Sequence, residues 1–275
     1  MPSRSERKVW RSLRKRKGRD ATGWFLTEGV KLVREVVAAG PGGEAVLLEQ
    51  GRADEEPLRT LRSDAERAGW RVEDVERWVI DEIADTKTPQ PVIAIAHIPR
   101  WTWDDVGAGH LVLLDGVQDP GNVGTLIRTA IGLGAAGVAV LDGSADPWGP
   151  KTFRASAGAS LIAPTFAADR HSTIDELSRR QIPIWIAGAD GESVDRGGEG
   201  GRSVAIALGS EAHGVSAAIE AAGTRRVAVE MRAGVDSLNV ASAGAILLDR
   251  IMNSTALDRD LGDRRQTGGT AGNGD

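Results

Sequence analysis

The sequence contains no cysteine, and this absence excludes disulfide bonds, thiolate metal sites and a cysteine nucleophile. Histidine is also scarce: the chain has 4 histidines, and no pair has the spacing of metal ligands on one helix. We therefore expect no bound metal. The lack of cysteine also fits a reducing compartment.

Long apolar runs are missing as well. No run approaches the roughly 18 consecutive apolar residues that a membrane-spanning helix needs. The basic N-terminus lacks the apolar core of a signal peptide, so we expect a cytoplasmic protein without membrane contact. With 275 residues, of which 41% are hydrophobic and 27% charged, the chain is long enough and apolar enough to form two folded domains or one large one.

The net charge of −5 disfavours a nucleic-acid partner, but the distribution of the charges favours one. Residues 1–19 contain nine lysines and arginines and one acidic residue, Glu6. Such a block is typical of a surface that binds phosphate backbones. It is equally typical of a solvated tail that only increases solubility, and the composition does not separate the two.

Strand-like and helix-like segments alternate between Trp24 and Ile98. The predicted strands cover residues 24–27, 45–48, 71–75 and 91–98, and the predicted helices cover residues 30–39, 57–68 and 78–84. Together they predict a small α/β domain over residues 19–99, preceded by a basic arm at residues 1–18. Pro99, followed by residues of mixed polarity and two glycines in residues 100–109, indicates a linker.

The second half of the chain has continuously apolar strands. They are predicted at residues 111–114, 138–141, 184–187, 204–208 and 227–230, and a last helix is predicted from residue 238 to residue 252. Such strands, separated by helical segments, are typical of a parallel sheet that is buried on both faces. We therefore predict an α/β domain over residues 110–257, followed by a disordered tail at residues 258–275.

One glycine pattern imitates a dinucleotide site. Residues 132–137 match G-x-G-x-x-G. A phosphate site of this kind needs a strand before the glycines and a helix after them, and here the order is reversed. We interpret the pattern as the end of a helix and a turn, which also argues against a nucleotide-dependent enzyme of the doubly wound class.

Small and polar residues follow two of the apolar strands. After the first, a Pro-Gly turn leads to Asn122, at an expected helix N-cap, and then to Arg128 within two helical turns. After the second, Gly209 is followed closely by Glu211. Each has a simpler explanation, because Arg128 could pair with a carboxylate and the glycine could belong to an ordinary turn.

A third such segment precedes the last helix. It contains Ser237 and Asn239, either of which could simply be a helix N-cap. Taken together, the three segments place polar residues at one edge of the predicted sheet. Ligands in open α/β sheets bind at that carboxyl edge.

These segments read P-G-N-x-G-x-x-x-R, L-G-x-E-x-x-G and S-L-N-V. In order and spacing they resemble the three motifs of the SpoU (TrmH) branch of the SPOUT methyltransferases, over about residues 110–253. The stretch from Arg19 to Gly29 resembles, more loosely, the start of the small RNA-binding domain that precedes many members. The fold implied is a SPOUT-type parallel sheet with a C-terminal trefoil knot, preceded by a small α/β/α substrate-binding domain.

The resemblance also implies an activity and its residues. The donor would be S-adenosylmethionine, held by residues that match the family's knot loops: Leu208, Gly209, Val229, Met231 and Leu238. The catalytic group would comprise Arg128, Asn122, Glu211, Ser237 and Asn239. One departure is visible, since Glu230 stands where many relatives have proline; we expect an altered loop rather than lost activity.

The implied reaction is methylation of a ribose 2′-hydroxyl in RNA by a homodimer whose active site lies near the subunit interface. A guanidinium keeps its proton in proteins, so we expect Arg128 to stabilise the developing alkoxide and bind a phosphate rather than act as a base. The extra N-terminal domain favours ribosomal (23S) RNA. The alternatives are transfer RNA as substrate, or a non-catalytic RNA-binding relative.

Overall fold

The computed structural model describes residues 1–40, 42–194, 203–232 and 238–252. The chain forms two compact units, each made of separate stretches of sequence. The first unit comprises Met1–Thr102, Asp119–Arg128 and Ala145–Phe166, and the second comprises Trp103–Gln118, Thr129–Ser144 and Ala167–Asp275. The predicted tail at residues 258–275 lies outside the described residues.

Helices and strands alternate along the chain. The first half contains α1 (Arg4–Ser12), α2 (Arg16–Thr22), β1 (Trp24–Glu28), α3 (Val30–Ala39), β2 (Gly43–Glu49), α4 (Leu58–Arg67), β3 (Val72–Val75), α5 (Arg77–Ile83) and β4 (Val92–His97). The second half contains β5 (Leu111–Asp115), α6 (Pro120–Gly132), β6 (Gly137–Leu141), α7 (Pro150–Ser156), β7 (Thr165–Ala168), α8 (Arg170–Arg179), β8 (Ile184–Ser193), β9 (Ala205–Gly209), α9 (Ala217–Ala222) and β10 (Gly223–Ala228). Residues 240–252 form the last described helix, α10.

The sheet of the first unit has the order β1-β4-β2-β3. Strand β4 is antiparallel to both β1 and β2, and β2 is parallel to β3. Alternate residues of these strands point to opposite faces, so the sheet has a core on each side. On one face Phe25 and Val46 pack with α3 and α4, and on the other Leu26 and Leu47 pack with α5.

The N-terminal basic segment is part of this packing. Helix α1 begins with a capping box between Ser3 and Glu6, and its Trp10 is 1% exposed. Trp10 and the fully buried Leu13 join the core on the α5 side of the sheet. Arg19 is also buried and pairs with Asp146 at 2.5 Å. The solvated-tail interpretation of residues 1–18 is therefore wrong.

The second sheet has the order β10-β8-β9-β5-β6-β7. The pairs β5–β6, β5–β9, β8–β9 and β8–β10 are all parallel. Every residue of β5, β6 and β9 is buried, which confirms the predicted sheet with both faces covered. The G-x-G-x-x-G pattern lies between the end of α6 and the start of β6, as the turn interpretation requires.

The structure differs from the prediction in both edge strands of the second sheet and in the start of the last helix. The strand predicted at residues 227–230 is β10, which starts at Gly223 and carries Arg225 and Arg226. Strand β7 has only four residues and was not predicted. Edge strands tolerate short length and charge, so neither strand has the apolar run that marks a central strand. The last helix begins at residue 240 rather than 238.

No helix within the described ranges is long and apolar enough to cross a membrane.

Candidate active site

The carboxyl ends of β5 and β9 lie side by side, with Asp115 paired in register with Gly209. The Asp115 side chain is 1% exposed. One carboxylate oxygen accepts a hydrogen bond from Arg170 Nε at 2.6 Å, and the other accepts one from the Ser216 backbone N–H at 2.6 Å. A buried carboxylate is costly unless it is paired, and here both oxygens have partners. Asp115 therefore ties the segment before α9 to the centre of the sheet.

Asp115 is the site residue that sequence reasoning missed. The available signal was a single acidic residue at the end of the apolar strand β5, directly before Gly116, which has a positive φ of 73°. A second link holds the same strand end. Ser144 Oγ donates to the Leu114 carbonyl at 2.8 Å and accepts from the Val117 N–H at 3.0 Å.

The segment after β9 is a closed turn. Ser210 and Gly214 exchange both backbone hydrogen bonds, each at 2.9 Å, and Gly214 has a φ of +67°. A Cβ atom on Gly209 would lie 2.1 Å from the Gly214 carbonyl carbon and 2.3 Å from Val215 N. No side chain fits there, so Gly209 is required for the turn to approach the strand this closely. Glu211 lies in this turn and is exposed.

Helix α6 begins three residues earlier than the predicted N-cap implies. The cap is Asp119, whose carboxylate accepts from the Asn122 backbone N–H at 2.9 Å; Asn122 lies in the first helical turn and is half-buried. This hydrogen bond, together with the Lys151 ammonium at 3.4 Å, lowers the pKa of Asp119. The prediction of Asn122 as N-cap was wrong because Pro120, a preferred first helical residue, already marks the start.

Arg128 is exposed on α6, whereas Val123, Ile127 and Ala130 of the same helix are buried. Its guanidinium forms no hydrogen bond or ion pair with the described parts of the chain. The simpler explanation, a structural ion pair with a carboxylate, is therefore not observed there. Arg128 thus offers an accessible cation about two turns into a helix that leaves the carboxyl end of β5.

The residues that the family resemblance assigns to donor binding are mostly apolar where the structure describes them. Val229 and Met231 are half-buried in the segment after β10, and Glu230 between them is exposed. Leu208 is buried at the end of β9, and Leu238, just before α10, is half-buried. Ser237 lies outside the described residues.

Asn239 has a local structural role. Its side-chain oxygen accepts from the Ala241 N–H at 2.9 Å and from the Ser242 N–H at 3.4 Å. Asn239 is therefore the N-cap of α10, as the simpler explanation proposed, and any catalytic role would be additional.

No group of three or more histidine or acidic side chains that could hold a metal occurs among the residues the structure describes. Chemically, the β9 turn offers backbone groups and a small-residue surface, and the β10 loop offers apolar side chains. Such a set suits a ligand with an apolar ring and polar edges.

Comparison with known proteins identifies both parts of the chain. The family model described as the SpoU rRNA Methylase family matches residues 109–249, and the model described as the MRM3-like substrate binding domain matches residues 6–94. The 23S rRNA (guanosine(2553)-2′-O)-methyltransferase RlmP of Bacillus subtilis is 31% identical over 88% of this chain and 93% of its own length. The 23S rRNA (adenosine(1067)-2′-O)-methyltransferase of Streptomyces azureus is 28% identical over 85% of this chain and 88% of its own length.

Solved structures agree with this fold. The AdoMet-bound rRNA methyltransferase from Sinorhizobium meliloti superposes with a TM-score of 0.77 at 27% identity, covering 92% of this chain and 97% of that one. The SpoU methyltransferase AviRb from Streptomyces viridochromogenes, solved with AdoMet, superposes with a TM-score of 0.83 at 24% identity over 91% and 98% of the two chains.

Proposed function

Because the chain belongs to the SpoU rRNA methylase family, we propose that it methylates a ribose 2′-hydroxyl of RNA, using S-adenosylmethionine as methyl donor. The proposed substrate is 23S ribosomal RNA, which appears in the names of two relatives. The observation that carries the proposal is the closed turn at Gly209, fixed beside the buried Asp115 at the carboxyl edge of a parallel sheet.

The donor would bind Leu208, Gly209, Val229, Met231 and Leu238. These residues provide buried or half-buried apolar surface and backbone polar groups, which suit an adenine ring and a thioether chain. When bound, S-adenosylmethionine supplies an electrophilic methyl group on a sulfonium. Glu230 is exposed, so its replacement of the family's proline affects the solvent side of this loop.

Arg128 would stabilise the reacting oxygen. The ribose hydroxyl must release its proton to solvent for its oxygen to act as a nucleophile. A guanidinium that cannot act as a base can still neutralise the negative charge that develops on that oxygen. Alignment of the reacting atoms can supply about 7–11 kcal/mol of the barrier in the best cases. Asn122, Glu211, Ser237 and Asn239 would orient the ribose and Arg128.

The proposal also includes the family's assembly. A C-terminal trefoil knot, a homodimer with its active site near the subunit interface and a cytoplasmic location all follow from the family resemblance. Helix α10 gives some support to the dimer, because Ile246 is 36% exposed on a helix whose Leu247, Leu248 and Ile251 are buried.

The decisive experiment is mass-spectrometric mapping of ribose methylation in cellular RNA with and without the gene. One 2′-O-methylated nucleotide of 23S RNA should disappear in the deletion strain and return with the wild-type protein. Arg128→Ala should fail to restore it, whereas Arg59→Ala, which removes an exposed arginine from α4, should restore it. Loss of a transfer RNA methylation instead would establish the other substrate.

A donor titration separates the non-catalytic alternative. Isothermal calorimetry should detect S-adenosylmethionine binding to the purified protein. A protein that binds RNA but neither binds the donor nor changes any ribose methylation is a binding module, and the proposed activity would then be wrong.

A further inference from the structure

Trp78 is a large aromatic side chain on α5 that remains 45% exposed. It is held from two sides: its Nε1 donates to Glu76 Oε2 at 2.9 Å, and the Arg7 guanidinium lies 4.8 Å from its ring centroid. Arg7 is itself fixed, because it donates to Glu82 Oε2 at 3.0 Å and to the Pro2 carbonyl at 2.9 Å. The exposed ring is therefore rigid before any ligand binds, and a cation already lies over it.

The helix that supplies Arg7 also presents further cations. Arg4, Lys8 and Arg11 occur at i, i+4 and i+7 of α1 and are all exposed, and we call them the α1 stripe. Arg4 and Lys8 form no ion pair with the described parts of the chain. Arg11 reaches Glu82 only at 3.8 Å. Since Glu82 lies one turn after Trp78 on α5, the stripe and the ring share one side of the unit.

The opposite face of the same sheet contrasts with this arrangement. Helix α4 and the turn before it carry three exposed arginines and the half-buried Arg62, but these are paired with nearby acidic residues. The pairs are Arg52–Glu55, Arg59–Glu56, Arg62–Asp74 and Arg67–Asp64. Arg4 and Lys8 of α1 are therefore available to a ligand, whereas the arginines of α4 and of the turn before it are neutralised.

We propose that Trp78 and the α1 stripe form a binding site for single-stranded RNA. An unpaired base stacks on Trp78, and the phosphates on either side of it pair with Arg4, Lys8 and Arg11. Stacking on an aromatic ring accepts any base, and phosphate contacts carry no sequence information, so this site supplies affinity and position rather than choice of nucleotide. The inference rests on the proposed function, in that RNA is the substrate.

The test uses the full chain and two fluorescent probes: an oligouridine of about 12 nucleotides and a fully paired RNA duplex of similar length. Trp78→Ala should weaken oligouridine binding about tenfold and leave duplex binding within about twofold, because a paired base cannot stack on the ring. Trp78→Phe should keep most of the affinity. Thermal unfolding of each variant shows whether the unit is still folded.

Charge variants test the stripe. Arg4→Glu combined with Lys8→Glu should weaken both probes and reduce the slope of log affinity against log salt by about 1.4, or about 0.7 for each lost phosphate contact. The matched control, Arg59→Glu with Arg67→Glu, makes the same change in charge on α4 and should leave binding within about twofold.

Equal oligouridine affinity for wild type and a folded Trp78→Ala variant would overturn the stacking site, as would equal losses on both probes. Failure of the wild-type protein to bind oligouridine would also overturn it. Donor binding and ribose methylation are measured in parallel. If the protein methylates ribose but Trp78→Ala binds RNA as wild type does, this inference is refuted and the proposed function stands. If RNA binding depends on Trp78 but the protein does not bind the donor, the proposed function is refuted and this inference stands.

Discussion

Replacing Asp115 tests the architecture of the candidate site most directly. Asp115→Asn keeps the size of the side chain but removes its charge and sets an amide NH2 against one of two donors, Arg170 Nε or the Ser216 N–H. Removing one partner of a fully buried ion pair costs about 3–5 kcal/mol. The Arg170 side chain is 25% exposed, so water stabilises part of its charge. We therefore expect a loss of about 2–3 kcal/mol in the free energy of unfolding.

Asp142 provides a matched control. It approaches the same arginine at 3.9 Å but is 57% exposed, so Asp142→Asn should cost less than about 0.5 kcal/mol. Urea denaturation measures both values, and an unchanged m-value shows that the comparison is valid. Because Asp115 also anchors the segment after Gly209, the Asn variant should bind S-adenosylmethionine about tenfold more weakly by calorimetry. Equal stabilities of the two variants would refute the assigned role of the buried carboxylate.

Three further changes have defined outcomes. Gly209→Ala should cost about 2–3 kcal/mol and weaken donor binding, because its Cβ would meet backbone at 2.1 Å; Gly107→Ala, with open space around it, should cost little in the same urea titration. Trp10→Ala should lower the free energy of unfolding by about 3–5 kcal/mol, and a wild-type-like melting curve would contradict its burial. Burial lowers the pKa of His110, so the folded state favours the neutral ring. The free energy of unfolding should therefore fall as pH drops below about 6.5, until the ring of the folded protein also protonates. His110→Asn should reduce this pH dependence in urea midpoints measured from about pH 7.5 to 5.

The central strands were predictable because burial on both faces leaves a continuous apolar run. Strands β5 and β9 carry such runs, and the structure has them at the predicted positions within one residue. The edge strand β10 was displaced in the prediction because Arg225 and Arg226, which pair with acidic side chains, interrupt its apolar pattern. Tertiary position, rather than local composition, decides where such a strand begins and ends.

The basic N-terminal segment shows a different limit of sequence reasoning. The prediction for residues 1–19 rested on their charge and overlooked the helical spacing of Trp10 and Leu13. These two apolar residues are three positions apart and share one face of a helix. Asp115 was missed because an acidic residue at a strand end has no distinctive spacing; only the structure shows that two donors meet it. The three motifs at residues 120–128, 208–214 and 237–240 were recognisable because order and separation carry information that single residues lack.

The aromatic core of the first unit has a consequence for how the protein is made. Phe25 packs 5.2 Å from Trp148 and 4.8 Å from Phe153, measured between ring centroids, although well over a hundred positions separate them along the chain. A ribosome releases the N-terminal residues first, at about 5–20 residues per second. The nascent first sheet must therefore wait for several seconds until α7 emerges, with the part of its apolar face around Phe25 uncovered. Any fragment that stops before residue 148 should leave Phe25 without these two neighbours and expose a surface that chaperones bind.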